Sequence, residues 1–130
     1  MTEDMKILIV DDNTDFTALL KLMLENEGFD VRLANNGEDG YSAYLLFGPD
    51  VVITDIQMPI KTGIELMGLI RGHNPRVRTV YMSADLTPFQ PFLEEEQKKY
   101  GASVLEKPFS KIELMKLLSE ISNSNSQCQI

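Results

Sequence analysis

The sequence predicts an open, doubly wound α/β fold, a five-stranded parallel sheet flanked by helices. Three observations carry this. Short aliphatic runs recur without the strict polar–apolar alternation of a sheet with one wet face, so the strands should be covered on both faces. Stretches with apolar residues at helical spacing lie between them, so strand and helix alternate about five times. Four of the runs end abruptly on polar residues, which places those residues along one edge of the sheet.

Ile7-Leu8-Ile9-Val10 is the first run and stops at Asp11. Phe16, Leu19, Leu20, Met23 and Leu24 then repeat at helical spacing, and Gly28 sits where a helix-terminating glycine belongs. Val31-Arg32-Leu33-Ala34 is the second strand, followed by the turn residues Asn35-Asn36-Gly37. Tyr41, Tyr44 and Leu45 mark a second helix closed by Gly48-Pro49. Val51-Val52-Ile53 is the third strand, ending at Thr54-Asp55; Ile64, Leu66, Met67 and Ile70 mark a helix ending near Gly72. Val77–Met82 is the fourth strand, ending at Ser83. Pro88 and Pro91 interrupt the segment after it, which predicts a helix starting near Phe92, with Glu94-Glu95-Glu96 and Lys98-Lys99 as a solvated outer face. Ala102–Leu105 is the fifth strand, ending at Glu106-Lys107. Ser110 and Glu113 have capping-box spacing ahead of Leu114, Leu117, Leu118 and Ile121.

At 130 residues the chain is expected to hold one domain, spanning residues 5–121, with 122–130 as a flexible tail or the start of a linker. Cys128 lies in that tail and reads as an incidental exposed thiol; a lone Cys excludes an internal disulfide. Met1–Asp4 is polar and the first apolar run is too short for a signal peptide or a membrane span, so a cytoplasmic location is expected. Hydrophobic residues at 43% and charged residues at 25% argue against disorder. A net charge of −8 argues against a nucleic-acid backbone or an anionic membrane as partner, since both need a positive footprint.

In an open parallel sheet, ligands bind at the strands' carboxyl ends. Here those ends carry Asp11-Asp12, Asp55, Ser83 and Lys107. Three clustered carboxylates need a cation or a shared proton, and an oxygen-only donor set suits Mg²⁺ or Mn²⁺. Taken singly, Asp11-Asp12 could instead be a helix N-cap pair, Ser83 a turn hydroxyl and Lys107 a surface lysine. The turn after the first strand has neither G-x-G-x-x-G nor G-x-x-x-x-G-K-[ST], so a dinucleotide or P-loop function is disfavoured. Such a site can carry out phosphoryl transfer to an aspartate, with Ser83 able to donate a hydrogen bond and Lys107 to supply a positive charge. The single histidine, His73, reads as a solvated loop residue, and Met58, Met67, Met82 and Met115 as fillers of core or loop gaps.

The ordered set resembles the receiver domain of two-component response regulators. The residues are Asp11-Asp12; Asp55 with Met58-Pro59 and Gly63; Ser83-Ala84; and Lys107-Pro108-Phe109. Ser83 follows Asp55 by 28 residues and Lys107 follows Ser83 by 24, and the likeness runs from Met5 to Ile121. The resemblance implies a flavodoxin-like strand order of 2-1-3-4-5. It implies Asp55 as phosphoacceptor, with Asp12, Asp55 and the Gln57 backbone carbonyl binding Mg²⁺, and Asp11 helping directly or through water. Ser83 and Lys107 would contact the phosphoryl group, and the peptide before Pro108 would be cis. Gln57 and Asp85 would tune the phosphoryl lifetime. The implied partners are a sensor histidine kinase or histidine phosphotransfer protein, with a homodimer through the fourth-helix to fifth-helix face. One position departs from the pattern: the switch site three residues before the lysine, usually aromatic, is Val104. This leaves the Ser83 loop and the Pro88–Pro91 segment to carry any response. Two alternatives stay open, a Mg²⁺-dependent phosphatase of the haloacid-dehalogenase type and a receiver-like interaction module that is not phosphorylated. The first needs an acid two residues beyond the nucleophile, where this chain has Gln57.

Overall fold

The computed structural model describes residues 5–128. The polar, acidic opening Met1–Asp4, the last two residues of the expected tail, and the thiol of Cys128 lie outside the described residues. Five strands alternate with five helices among the described residues: β1 (Lys6–Val10), α1 (Thr14–Asn26), β2 (Asp30–Ala34), α2 (Gly37–Phe47), β3 (Val51–Asp55), α3 (Gly63–His73), β4 (Arg78–Ser83), α4 (Gln90–Tyr100), β5 (Ser103–Glu106) and α5 (Lys111–Cys128). All pairings are parallel and the order is β2-β1-β3-β4-β5, as the resemblance implies. The winding reverses between β1 and β3, which opens a crevice at their carboxyl ends. No helix of the described residues is long and apolar enough to cross a membrane.

The period-two geometry of strands explains the continuous aliphatic runs. Ile7, Ile9, Val51, Ile53, Val80 and Met82 point to one face and pack with Leu20 and Leu24 of α1 and Leu114, Leu118 and Ile121 of α5. Leu8, Val10, Val52 and Tyr81 point to the other and pack with Tyr44 of α2, Leu66, Met67 and Ile70 of α3, and Leu93 of α4. Met58, Met67 and Met82 are buried and Met115 packs against the core, as expected of gap-fillers.

The helix starts are chemically specified. Thr62 and Glu65 form a capping box on α3, and Ser110 and Glu113 form one on α5 with bonds of 3.0 and 3.1 Å. The backbone and hydroxyl of Thr62 hold the Glu65 carboxyl below its usual range.

Several expectations are corrected. Leu19 is 58% exposed because α1 buries the narrower stripe Thr17, Leu20 and Leu24. At about 100° per residue, Leu19 falls about 130° round the helix from that stripe's centre. Leu45 is likewise half-exposed, since α2 uses Gly37, Gly40 and Tyr44 as its seam. The prolines do not delay α4 to Phe92. Pro88 sits in a 3-10 turn (Thr87–Phe89) and Pro91 in the first turn of α4, where a missing N–H costs nothing. Glu96 is not part of a solvated face: its side chain is 12% exposed and paired with Arg71. His73 is the last residue of α3, with its ring edge-on to Tyr44 at 6.2 Å. The last helix, α5, runs to Cys128, with no Gly or Pro to interrupt it after Lys111.

Candidate functional site

The sheet register delivers the polar residues to one edge. The ladder continues one residue past two strands: the Asp11 amide donates to the Ala34 carbonyl at 3.1 Å, and the Lys107 amide donates to the Ser83 carbonyl at 2.8 Å. Asp11 and Asp12 therefore follow β1 directly, Asp55 ends β3, Ser83 ends β4 and Lys107 follows β5. Carboxylate oxygens of Asp11, Asp12 and Asp55 lie within 4.8 Å of one another. The Lys107 ammonium is 2.6 Å from Asp11 Oδ2 and 3.8 Å from Asp55 Oδ2. It also sits 4.8 Å from the centre of the Phe16 ring, which meets Phe109 edge-on. The Lys107–Pro108 peptide is cis.

Three carboxylates face one ammonium. Burial, chiefly, pushes the Asp55 carboxyl up to about 6 from 3.8; Lys107 opposes the rise, while Asp11 and Asp12 add to it. The N-cap of α1 is Asn13, whose side chain accepts from the Phe16 amide, so capping does not explain the aspartates. Asp11 is 1% exposed and accepts a bond from the Asn13 amide at 3.0 Å. An all-oxygen, net-negative donor set fits a hard divalent cation such as Mg²⁺ or Mn²⁺.

The other predicted residues lie on β4, on β5 and in the loops that follow β3 and β4. Ser83 is buried and its hydroxyl is engaged locally, donating to the Asp85 carbonyl at 2.9 Å and accepting from the Asp85 amide at 3.2 Å. Asp85 is exposed and its carboxylate accepts from the Thr87 amide at 3.0 Å, which holds the 3-10 turn. Gln57 is exposed in the β3–α3 loop. That loop contains Ile60 at φ 70°, a costly backbone state for a β-branched residue. Val104 is half-buried beside the α2–α4 side of the core, and its register partner on β4 is Tyr81.

Two contributors escaped the sequence reading. Phe16 reads as a core residue by periodicity, and only its position one turn after Asp12 hints at the lysine. Gly37 reads as a turn residue, yet its amide donates to the Lys61 carbonyl at 3.1 Å and a Cβ there would overlap that carbonyl. It ties the start of α2 to the β3–α3 loop. Gly63 is required in the same way, because a Cβ there would overlap the Asp55 backbone oxygen.

The response regulator receiver domain family matches residues 7–119. The chain belongs to that family. Among curated relatives, the transcriptional regulatory protein RprY of Bacteroides fragilis is 32% identical over 115 residues, covering 88% of this chain and 48% of that protein. The transcriptional regulatory protein TrcR of Mycobacterium tuberculosis is 33% identical over 79 residues, covering 61% of this chain and 31% of that protein. The receiver domain thus spans half or less of the length of these relatives. Among solved structures, the chemotaxis response regulator CheY4 of Vibrio cholerae superposes with a TM-score of 0.77 at 27% identity, covering 90% of this chain and 98% of that one. The family is that of two-component phosphoacceptors, and nothing in these likenesses favours a phosphatase or a non-phosphorylated module.

Proposed function

We propose that this receiver domain accepts a phosphoryl group on Asp55 from a phosphohistidine of a sensor histidine kinase or histidine phosphotransfer protein. An Asp55 carboxylate oxygen forms the new P–O bond as the P–N bond to the donor imidazole breaks, and the imidazole nitrogen keeps that electron pair. The observation that carries the reading is the placement of Asp55. It ends β3 beside two further carboxylates, with the Lys107 ammonium 3.8 Å from its oxygen. A hard divalent cation would be held by Asp11, Asp12, Asp55 and the Gln57 backbone carbonyl, and when bound would neutralise oxygens on nucleophile and phosphoryl group. Lys107 supplies a further positive charge to the phosphoryl oxygens, and Ser83, once released from its local bonds, a hydroxyl donor. Gln57 and Asp85 flank the approach of an attacking water and set the lifetime of the acyl phosphate.

Each chain takes up one phosphoryl group, so the domain is a switch rather than a turnover enzyme. A cytoplasmic location and protein partners, including a second copy across the α4–α5 face, belong to the same reading. The test is incubation with Mg²⁺ and acetyl phosphate followed by intact-mass measurement. The expected result is one added phosphoryl group, lost in Asp55→Asn and on chelation. Turnover of a phosphate ester, or no label at all, would overturn the proposal.

A further inference from the structure

The network beneath α4 is built around one carboxylate oxygen. Glu96 Oε1 accepts from the Tyr81 hydroxyl at 2.7 Å and from Arg71 Nε and Nη2 at 3.3 and 3.1 Å. Arg71 reaches on to the Thr79 hydroxyl at 2.9 Å and the Val77 carbonyl at 3.4 Å, and its guanidinium lies 3.8 Å from the centre of the Tyr100 ring. Residues of α3, β4 and α4 thus meet at a point. Tyr81 is fully buried, with its ring edge-on to Phe92 of α4 at 5.5 Å.

Apolar anchoring of α4 is limited to Leu93 and the half-buried Phe92. Its only buried residue is Leu93, and no side chain caps its start. A groove of about 410 Å³ separates it from α3, where Gly68 and Gly72 leave open space. A helix held by few apolar contacts is free to shift, whereas a buried ion pair stripped of one partner is costly. The polar node therefore governs where α4 sits.

Tyr81 also stands on the route from the reactive edge. Thr79, Tyr81 and Ser83 alternate onto the same face of β4, and Tyr81 is two residues before the serine. Its register partner is Val104, the position where the family's pattern has an aromatic. Burial, and then the Glu96 carboxylate, raise the Tyr81 hydroxyl well above its ordinary value, so it remains a donor at all working pH.

We propose that Tyr81 is the aromatic coupling residue of this receiver: its hydroxyl bond to Glu96 carries a movement of the Ser83 end of β4 into α4, in place of a rotating aromatic at position 104. Tyr81 is a positioning residue, acting through Glu96, and the inference rests on the phosphoacceptor reading of Asp55.

The test uses the full chain with Mg²⁺ and beryllofluoride, a tetrahedral phosphoryl mimic, read by amide hydrogen exchange and backbone shifts. In the wild type both the Ser83–Leu86 loop and α4 should respond. In Tyr81→Phe, which keeps the ring, the loop response should persist while the α4 response falls at least threefold. Basal exchange of the α4 amides should rise about tenfold, as expected for loss of one charge-assisted bond. Glu96→Gln keeps an acceptor for the Tyr81 hydroxyl and should retain part of the α4 response that Tyr81→Phe loses. Leu93→Ala loosens α4 but removes none of the hydrogen bonds among Tyr81, Glu96 and Arg71, and should leave the coupling intact, which separates coupling from stability. A full α4 response in Tyr81→Phe overturns the inference while leaving the phosphoacceptor reading standing. No loop response in the wild type overturns both.

Discussion

Asp55→Asn should stabilise the metal-free protein. The folded state raises the Asp55 carboxyl from 3.8 to about 6. Between these values the native state binds a proton that the unfolded state does not, so native stability rises as pH falls through 6. Conversely, the benefit of the protonated carboxyl is lost as pH rises through 6, and at pH 7.5 the ionised group is a net burden. At about 1.36 kcal/mol per pH unit the ceiling is about 3 kcal/mol. The Asp55 side chain is still 14% exposed, and water screens part of this, leaving about 1–2 kcal/mol. Asn keeps the shape and removes the charge. Urea unfolding at pH 7.5 with chelator should show Asp55→Asn more stable by that amount. The gain should shrink steadily between pH 7 and pH 4, and saturating Mg²⁺ should narrow it by stabilising the wild type alone. A variant no more stable than wild type at pH 7.5, or a gain that does not change with pH, would refute the electrostatic account of the site.

Three further outcomes are expected. Asp85→Ala should change the half-life of phosphorylated protein, followed by loss of label, while Mg²⁺ affinity by fluorescence or calorimetry stays within about threefold of wild type; an unchanged half-life removes Asp85 from the tuning set. Gly37→Ala should lower the thermal midpoint and weaken Mg²⁺ binding together, because the Lys61 carbonyl and the loop after Asp55 must move to admit the new Cβ. Leu24→Ala, in the fully buried seam between α1 and the sheet, should cost about 2–5 kcal/mol in urea unfolding and leave acetyl phosphate labelling intact at low temperature.

The fold was legible in the sequence because two periods and a few stop signals specify it. A strand covered on both faces writes an unbroken aliphatic run, and Ile7–Val10 and Val51–Ile53 are such runs. The capping box at Ser110 and Glu113 states where α5 begins. The edge positions of Asp11, Asp12, Asp55 and Lys107 followed from topology alone. The partner of each polar group stayed hidden. Glu96 is one of three consecutive acids, and composition cannot say which of them turns inward; only the angle of α4 against Arg71 decides it. Leu19 could not be separated from Leu20, since a stripe's width depends on how closely the helix lies on the sheet. Pro88 and Pro91 do not show where α4 starts, because proline breaks a helix interior but begins a helix well.

The three aspartates do not share their charge evenly, and the imbalance falls where chemistry would use it. Asp11 is the most deeply buried, yet it has the ammonium at 2.6 Å and the Asn13 amide at 3.0 Å. Asp12 is exposed to solvent. Asp55 has neither full compensation: it is largely buried, and the same ammonium stands 3.8 Å away, held on Asp11. The least compensated carboxylate is therefore the one that would attack phosphorus. A new cation beside Asp11 would compete for the charge that Lys107 now satisfies, and the nearest other anion for that ammonium is Asp55. A single lysine poised between two carboxylates thereby links the charge state of the cluster to electrostatics at Asp55. The arrangement implies that Lys107→Met should raise the Asp55 carboxyl above 6, since Lys107 is the chief influence lowering it. Titration of the Asp55 carboxyl carbon by NMR reads this directly. A midpoint at or below that of the wild type would show that the ammonium serves Asp11 alone.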